Sequence, residues 1–239
     1  SHEWCRDRLS RTTFIVLALK LGLSLVSTPK LGGWSPDDET SLVAWYQNQV
    51  GITLNGSDVS AWADSSTNSH TMEQDTPTEQ PAYSAGVLTF DSGDINNLQS
   101  SSTVELSGAF TIGYKAYPAA FNNVILGDNV LNNEMIKYTS SSKITIKIDG
   151  TNKNLNLDSG TFGDDYIVIA RDGSNVITLY KNGTAQSGTA TLAGTANINA
   201  IGVRDGDKNP YDGTVEEVQI YSSASAALTA NVNDRLSTL

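Results

Sequence analysis

Short apolar alternations separated by glycine-containing turns constrain this chain more than any other feature of its sequence. The clearest lies at residues 143–149, where Ile144, Ile146 and Ile148 alternate with polar residues. A period of two places the three isoleucines on one face of a β-strand. Other stretches rich in β-branched and aromatic residues are 110–114, 166–170, 176–180 and 215–221. The pattern predicts a fold built from strands.

Turn signals separate these segments. Asn182-Gly183 follows residues 176–180 and predicts a tight hairpin, because both residues accept a positive φ. Asp-Gly pairs at 149–150, 172–173, 205–206 and 212–213 end other segments. With no long helical pattern between them, the strands predict an all-β antiparallel sandwich rather than an α/β fold. Residues 224–239, which lack Gly and Pro, predict a short C-terminal helix.

Charge and cysteine content exclude several classes of protein. The chain of 239 residues has 15 basic and 26 acidic side chains, a net charge of −11. This balance argues against broad nucleic-acid binding, and we expect no nucleic-acid partner. A single cysteine, Cys5, excludes an internal disulfide, and with only His2 and His70 it also excludes a Cys/His zinc cluster.

The first 30 residues differ in charge from the rest. They carry five basic and two acidic side chains, whereas the remainder is strongly acidic. We therefore expect residues 1–33 to be an extended arm and residues 34–239 to be the folded domain. A basic arm on an acidic body is typical of a segment that docks on another surface. A disordered terminus with solvated charges is the alternative.

Residues 14–26 within this arm are largely apolar. Lys20 interrupts the stretch, which is too short for a membrane span of about 20 apolar residues, and we expect neither a span nor a signal peptide. Five leucines alternate with other residues, which predicts a strand with one apolar face. The strand would lie on its own sandwich or on a neighbour's sheet edge. The residues that would anchor the arm are Phe14, Leu17, Leu19, Leu21, Leu23, Leu25, Arg6, Arg8 and Arg11.

Four groups of segments carry a resemblance to a known family. They are residues 42–46 with 59–64 and 80–83, then 87–91, then 177–183, and finally 201–204 with 211–221. In this order they resemble the concanavalin A-like, laminin-G-like jelly-roll superfamily, in the form common among bacteriophage virion proteins. The resemblance covers residues 40–239, and the last group is the most specific. It implies two packed antiparallel sheets, one of them concave, with rim loops that bind glycans in some members. Trp45 and Trp62 are expected in the core.

Glycoside hydrolases that share this fold carry closely spaced carboxylates on one strand. The nearest candidate here is Glu216-Glu217. Adjacent residues of a strand point to opposite faces, so these two do not form the pair about 5 Å apart that retaining hydrolysis needs. We expect Glu217 to point outward into solvent, and we expect no enzymatic activity.

A serine triad would need His70 as its base. Its neighbours Asp64, Ser65, Ser66 and Ser69 form a polar stretch, and no Gly-x-Ser-x-Gly elbow precedes a helix. We expect His70 to be a solvated loop residue.

Calcium is the one cofactor that the sequence leaves open. Asp205, Asp207, Asn209 and Asp212 lie within eight residues, and clustered oxygen ligands are what Ca²⁺ requires. The spacing differs from that of an EF-hand, and turn-forming Asp and Asn give the same composition. We expect turns here and no cofactor, with Ca²⁺ as the alternative.

Sugar binding would need an exposed aromatic ring beside polar groups. Tyr117, next to Pro118, and Tyr211, flanked by Asn and Asp residues, are the candidates. Ordinary partly buried aromatics of a sandwich are the alternative.

The resemblance, with which the lack of an enzyme signature and the low cysteine content agree, implies a non-enzymatic structural protein of a phage virion. It would be a capsid-decoration, neck or fibre-type module on the particle surface, homo-oligomeric and attached to other virion proteins through its arm. A glycan-binding adhesin for host-surface attachment is the alternative, and a glycoside hydrolase is the third hypothesis.

Residues 34–239 should fold without the arm, because the strand segments and the family-like segments all follow Gly33. Thermal unfolding of this fragment should show one cooperative transition. A broad, non-cooperative transition would show instead that the arm is part of the core.

Overall fold

Seventeen β-strands and one α-helix make up residues 33–130 and 133–239, which this computed structural model describes. The strands are β1 (Leu42–Tyr46), β2 (Ile52–Asn55), β3 (Asp58–Trp62), β4 (Met72–Glu73), β5 (Ala82–Ser84), β6 (Val87–Phe90), β7 (Leu98–Leu106), β8 (Phe110–Pro118), β9 (Asn123–Asp128), β10 (Asn133–Ser140), β11 (Lys143–Ile148), β12 (Thr151–Asn156), β13 (Asp165–Arg171), β14 (Val176–Lys181), β15 (Thr184–Thr191), β16 (Ala196–Ile201) and β17 (Gly213–Tyr221). The helix is α1 (Ala226–Leu236), and short 3-10 turns occur at Pro36–Asp38 and Pro77–Glu79. The predicted arm, with its leucines and arginines, lies outside the described residues.

The strands form two antiparallel layers. The back sheet has the order β15-β14-β13-β8-β17, with β6 and β1 pairing along the two halves of β17. The front sheet has the order β12-β11-β10-β9-β16-β7 and continues through β4 and β3 to β2. Pairings of β5 with β3 and β6 join the two layers. The predicted antiparallel β-sandwich is confirmed, and all five predicted segments form strands, although β11 ends one residue before Asp149.

Aromatic rings fill the space between the two sheets. Tyr114 of the back sheet meets Tyr138 of the front sheet edge-on, with ring centroids 6.4 Å apart. Tyr138 also contacts Phe162 at 5.0 Å and Tyr211 at 6.3 Å. Burial raises the pKa of Tyr114 and Tyr211 well above the ordinary tyrosine value, so both stay neutral. The isoleucines at 144, 146 and 148 and both predicted core tryptophans are buried as expected.

The predicted hairpin at Asn182-Gly183 joins β14 to β15. Both residues have a positive φ, 49° and 76°. The Asn182 side chain accepts the Tyr166 backbone N–H at 3.0 Å and donates to Asp165 Oδ1 at 2.7 Å. The turn is therefore fixed to β13 as well as to its own strands.

Arg171 of β13 is a fully buried cation, and within residues 33–130 and 133–239 it forms no ion pair with a carboxylate. Its guanidinium donates to the backbone carbonyls of Leu106, Gly108 and Gly194 and lies 4.6 Å above the Phe110 ring. Burial lowers the pKa of Arg171. These carbonyls belong to the end of β7 with the β7–β8 connection and to the β15–β16 connection. Since both connections cross from one sheet to the other, Arg171 holds two crossovers together at one end of the sandwich.

Helix α1 packs on the outer face of the back sheet. The Ser225 side chain caps it by accepting the Leu228 N–H at 3.0 Å, which explains why the helix begins at Ala226 rather than at residue 224. Leu228, Val232 and Leu236 are buried against the sheet. In the described ranges no helix has the length and hydrophobicity that crossing a membrane would require.

The close approach of α1 to β8 depends on Gly113. A Cβ at this position would overlap Val232 Cγ1 and lie 3.1 Å from Leu236 Cδ1. We expect Gly113→Ala to lower the free energy of unfolding by about 1–3 kcal/mol, the usual cost of overpacking. Gly188→Ala in β15 is the matched control, because its Cβ would meet no atom within 4 Å. Equal thermal stability of the two variants would contradict this packing.

Candidate functional site

Glu217, expected to point into solvent, is fully buried. Its carboxylate accepts hydrogen bonds from Trp45 Nε1 at 3.0 Å, the Asn48 backbone N–H at 3.1 Å and Gln219 Nε2 at 2.7 Å. The Arg235 guanidinium of α1 donates to both carboxylate oxygens, at 3.1 and 2.8 Å. The expectation of a solvated Glu217 was wrong, because β1 and α1 cover the outer face of β17 at this point.

Glu216 has a different environment. A β-bulge lies between Val215 and Glu217, so the regular alternation assumed from the sequence is interrupted here. The Glu216 carboxylate lies 3.8 Å from Lys115 Nζ and is partly exposed. Partial burial raises the pKa of Glu216. The two neighbouring carboxylates therefore contact different cations and do not share a site.

His70 lies in a loop as expected, but it is half-buried rather than fully solvated, and its ring contacts a serine of β7. His70 Nδ1 lies 2.8 Å from Ser102 Oγ. Asp64 accepts the backbone N–H groups of His70, Ser66 and Trp45. Because Asp64 binds the His70 backbone and not its ring, it does not orient the imidazole as a triad carboxylate would.

The four residues proposed for Ca²⁺ each contact other protein groups. Asp205 pairs with Lys208 at 3.0 Å, and Asn209 Oδ1 accepts the Arg204 guanidinium at 2.8 Å. Asp207 accepts side-chain amides, as described below, and Asp212 accepts the Ser92 hydroxyl at 3.2 Å. Asp205, Asp207 and Asn209 have positive φ. In residues 33–130 and 133–239 no group of three His, Cys, Asp or Glu side chains is arranged to hold a metal ion.

The two tyrosines proposed for sugar binding lie in different environments. Tyr211 is buried in the core against Phe90 and Tyr138, so it offers no exposed ring face. This part of the prediction was wrong, because residues 202–211 return into the sandwich after the loop. Tyr117 on β8 is 43% exposed and keeps the required accessibility.

A polar groove of about 410 Å³ lies where β4 and the segment after it meet β7. It is lined by residues 73–76 and 79 on one side and 99–101 on the other. Glu73 and Gln99 are direct partners in the β4–β7 pairing. Leu98 is in the core, so the adjacent Gln99 points to the outer face of the front sheet. The volume is within the range of about 300–1,000 Å³ that is usual for small-molecule sites.

Four amide side chains at this groove form a connected network, which we name the amide cluster: Gln74, Asn97, Gln99 and Asn129. Asn97 Oδ1 accepts Gln74 Nε2 at 2.9 Å and Gln99 Nε2 at 2.8 Å. Asn129 Nδ2 donates to Gln99 Oε1 at 2.7 Å. The cluster therefore spans from the segment after β4 to the turn after β9.

Two carboxylates hold the ends of the amide cluster. Glu79 accepts Gln74 Nε2 at 3.2 Å, and Asp207 accepts Gln99 Nε2 at 3.2 Å. The Asp207 backbone N–H in turn donates to Asn129 Oδ1 at 3.1 Å. Asp207, considered above as a calcium ligand, thus fixes the amides that face the groove.

Replacing Glu217 should destabilise the fold rather than remove an activity. Glu217→Gln leaves the partly buried Arg235 without its charge partner, and we expect a loss of about 3 kcal/mol of unfolding free energy. Glu216→Gln is the control. Its raised pKa means that ionised Glu216 is disfavoured in the folded state, so neutralising it costs little at neutral pH. Denaturant unfolding of both variants at pH 7 measures the difference, and equal losses would contradict the assignment.

This chain is similar to several solved structures, and the first of them shows the same fold. The binding domain of Paraclostridial Mosquitocidal Protein 1 aligns over 85% of this chain and 53% of its own, with 15% identity and a TM-score of 0.54. The binding domain of Botulinum Neurotoxin DC in complex with SialylT covers 85% of this chain and 52% of its own (15% identity, TM-score 0.47). The Ruminococcus gnavus IT-sialidase CBM40 bound to alpha2,3 sialyllactose covers 54% of this chain and 80% of its own (18% identity, TM-score 0.39).

The chain spans only part of several of these proteins, including 23% of the leech intramolecular trans-sialidase chain. No match to a curated protein was found. The model of the concanavalin A-like lectin/glucanases superfamily (Laminin_G_3) matches residues 91–230, which is more than half of the chain. The expected resemblance to this superfamily is confirmed, and the chain belongs to it.

Proposed function

We propose that this protein is a carbohydrate-binding module whose ligand occupies the groove between residues 73–79 and β7. The observation that carries the proposal is the groove itself, about 410 Å³ in volume and lined by amide, carboxylate and hydroxyl side chains. Saccharides present many hydroxyl groups at fixed spacing, and such groups pair with planar polar side chains that each offer more than one hydrogen-bonding position.

The amide cluster supports this proposal because its side chains are already fixed. Gln99 bonds to Asn97, Asn129 and Asp207 at the same time. A side chain held in one rotamer before binding loses little conformational entropy when a ligand arrives. The groove is therefore preorganised, as sites for weakly interacting polar ligands need to be.

We propose binding without cleavage. The superfamily joins lectins with glucanases, so its fold supports both activities. Among the sequence candidates, Glu216-Glu217 is the nearest to the pair of carboxylates on one strand that glycoside hydrolases of this fold carry. Glu217 is buried, accepts a hydrogen bond from Trp45 and pairs with Arg235. Its role in the described structure is to join β1 and α1 to β17.

The groove supports the adhesin hypothesis better than the virion hypothesis. The virion role came mainly from the family resemblance, and the attachment to other virion proteins came from the arm, which lies outside the described residues. The virion role, the protein partners, the homo-oligomer and the particle-surface location all stay predictions. Attachment to a host-surface glycan requires a saccharide site, and the groove is a candidate for it.

The full chain should bind a subset of glycans on a glycan array. Gln99→Ala should weaken binding by about tenfold or more, because it removes the centre of the amide cluster. Asn156→Ala is the matched control, since Asn156 is an exposed amide on β12, outside the lining of the groove. Titration calorimetry with the strongest array ligand gives the affinities, and thermal unfolding checks that both variants fold.

A chain that binds no glycan, or a Gln99→Ala variant with unchanged affinity, would contradict the proposed site. Release of reducing sugar from a bound polysaccharide would contradict the proposal of binding without cleavage.

A further inference from the structure

We infer that the groove selects uncharged saccharides and rejects anionic ones, including sialylated glycans. This inference rests on the proposed function and concerns the chemistry of the ligand at the same groove. Two independent properties of the lining lead to it, namely the charges that face the groove and the direction of its hydrogen bonds.

The charges around the groove are negative. Glu73, Asp75 and Glu79 all line it, and none of its eight lining residues is Lys, Arg or His. Asp207 lies immediately behind Gln99. The nearby Arg204 and Lys208 of the 203–210 hairpin pair with Asp205. A ligand carboxylate or sulfate would therefore meet several like charges at short range, where screening by salt is weakest.

The hydrogen bonds of the lining amides leave acceptors rather than donors for a ligand. Both N–H groups of Gln74 are used, toward Glu79 and Asn97. Both N–H groups of Gln99 are also used, toward Asn97 and Asp207. The orientation of Gln99 is fixed because the Asp207 carboxylate accepts hydrogen bonds and cannot donate them.

These two side chains can therefore form further hydrogen bonds only as acceptors, through unused lone pairs on their amide oxygens. Gln74 Oε1 and Gln99 Oε1 each accept one bond within the protein, from the Thr76 backbone N–H and from Asn129, and each keeps a second lone pair. Sugar hydroxyls can donate to these lone pairs and to the carboxylates. A carboxylate on the ligand only accepts, so it would lose its water and find side-chain donors at the hydroxyls of Thr76, Ser100 and Ser101 but not at the two amides. Charge and hydrogen-bond direction thus favour the same class of ligand.

The test uses pairs of glycans that differ only by a sialic acid or a sulfate group. Full-length protein is applied to an array that contains each neutral glycan and its anionic counterpart. We expect neutral members to bind and their counterparts to bind about tenfold or more weakly. The difference should grow at low salt, because the Debye length rises from about 3 Å at 1 M to about 30 Å at 0.01 M.

A charge-neutralised variant tests the cause. Glu73→Gln combined with Asp75→Asn should reduce the ratio of neutral to anionic affinity several-fold. Glu105→Gln combined with Asp234→Asn is the matched control, because it changes the net charge equally at exposed sites that do not line the groove, and its ratio should equal that of the wild type.

The outcomes separate this inference from the proposed function. Anionic glycans that bind as tightly as their neutral counterparts, or better, overturn the inference and leave glycan binding intact. A neutral preference that the groove variant does not change overturns it as well. Absence of binding to every glycan on the array overturns the proposed function and, with it, the inference.

Discussion

The buried carboxylate of Glu217 is the interaction on which the outer side of the back sheet depends. It joins two other parts of the chain to β17: the end of β1 with the backbone after it, through Trp45 and Asn48, and α1, through Arg235. Gln219 of β17 itself donates a further hydrogen bond. A fully buried charge is tolerated only when hydrogen bonds and an opposite charge replace its water. Since all of these partners are needed, β1 and α1 have one position in which they can cover β17.

Arg171, on β13 of the same sheet, is a buried cation, whereas Glu217 is a buried anion. The buried Arg171 guanidinium is paired with no carboxylate in the part of the chain that the structure describes, and it donates to backbone carbonyls of two connections instead. Carbonyl groups are always present, so this arrangement constrains the path of the loops rather than the identity of their side chains. The two buried charges therefore fix different things: Glu217 fixes which elements pack together, and Arg171 fixes where connections run.

Local patterns predicted most of the fold, whereas long-range contacts decided the site. Alternation at 143–149 and the turn pair Asn182-Gly183 are visible in a few residues, and the structure confirms both. The burial of Glu217 and Tyr211 was missed because each depends on segments more than 70 residues away. The amide cluster was missed for the same reason. The polar run at residues 96–103 was a signal, but only the pairing of β7 with β4 and β16 brings Gln99 to Gln74 and Asp207.

The absence of a side chain at Gly113 also determines an electrostatic contact on the neighbouring strand. Val232 occupies the space where a Cβ would stand, so α1 rests directly on the backbone of β8. Arg235 follows Val232 by three residues and lies on the same side of the helix. The helix must sit at this height for the Arg235 guanidinium to reach Glu217 of β17 at 2.8 Å. Gly113 carries a hydrogen atom where other residues carry a side chain, and this permits the helix position at which Arg235 reaches Glu217. The glycine therefore supports an ion pair in which neither it nor β8 takes part.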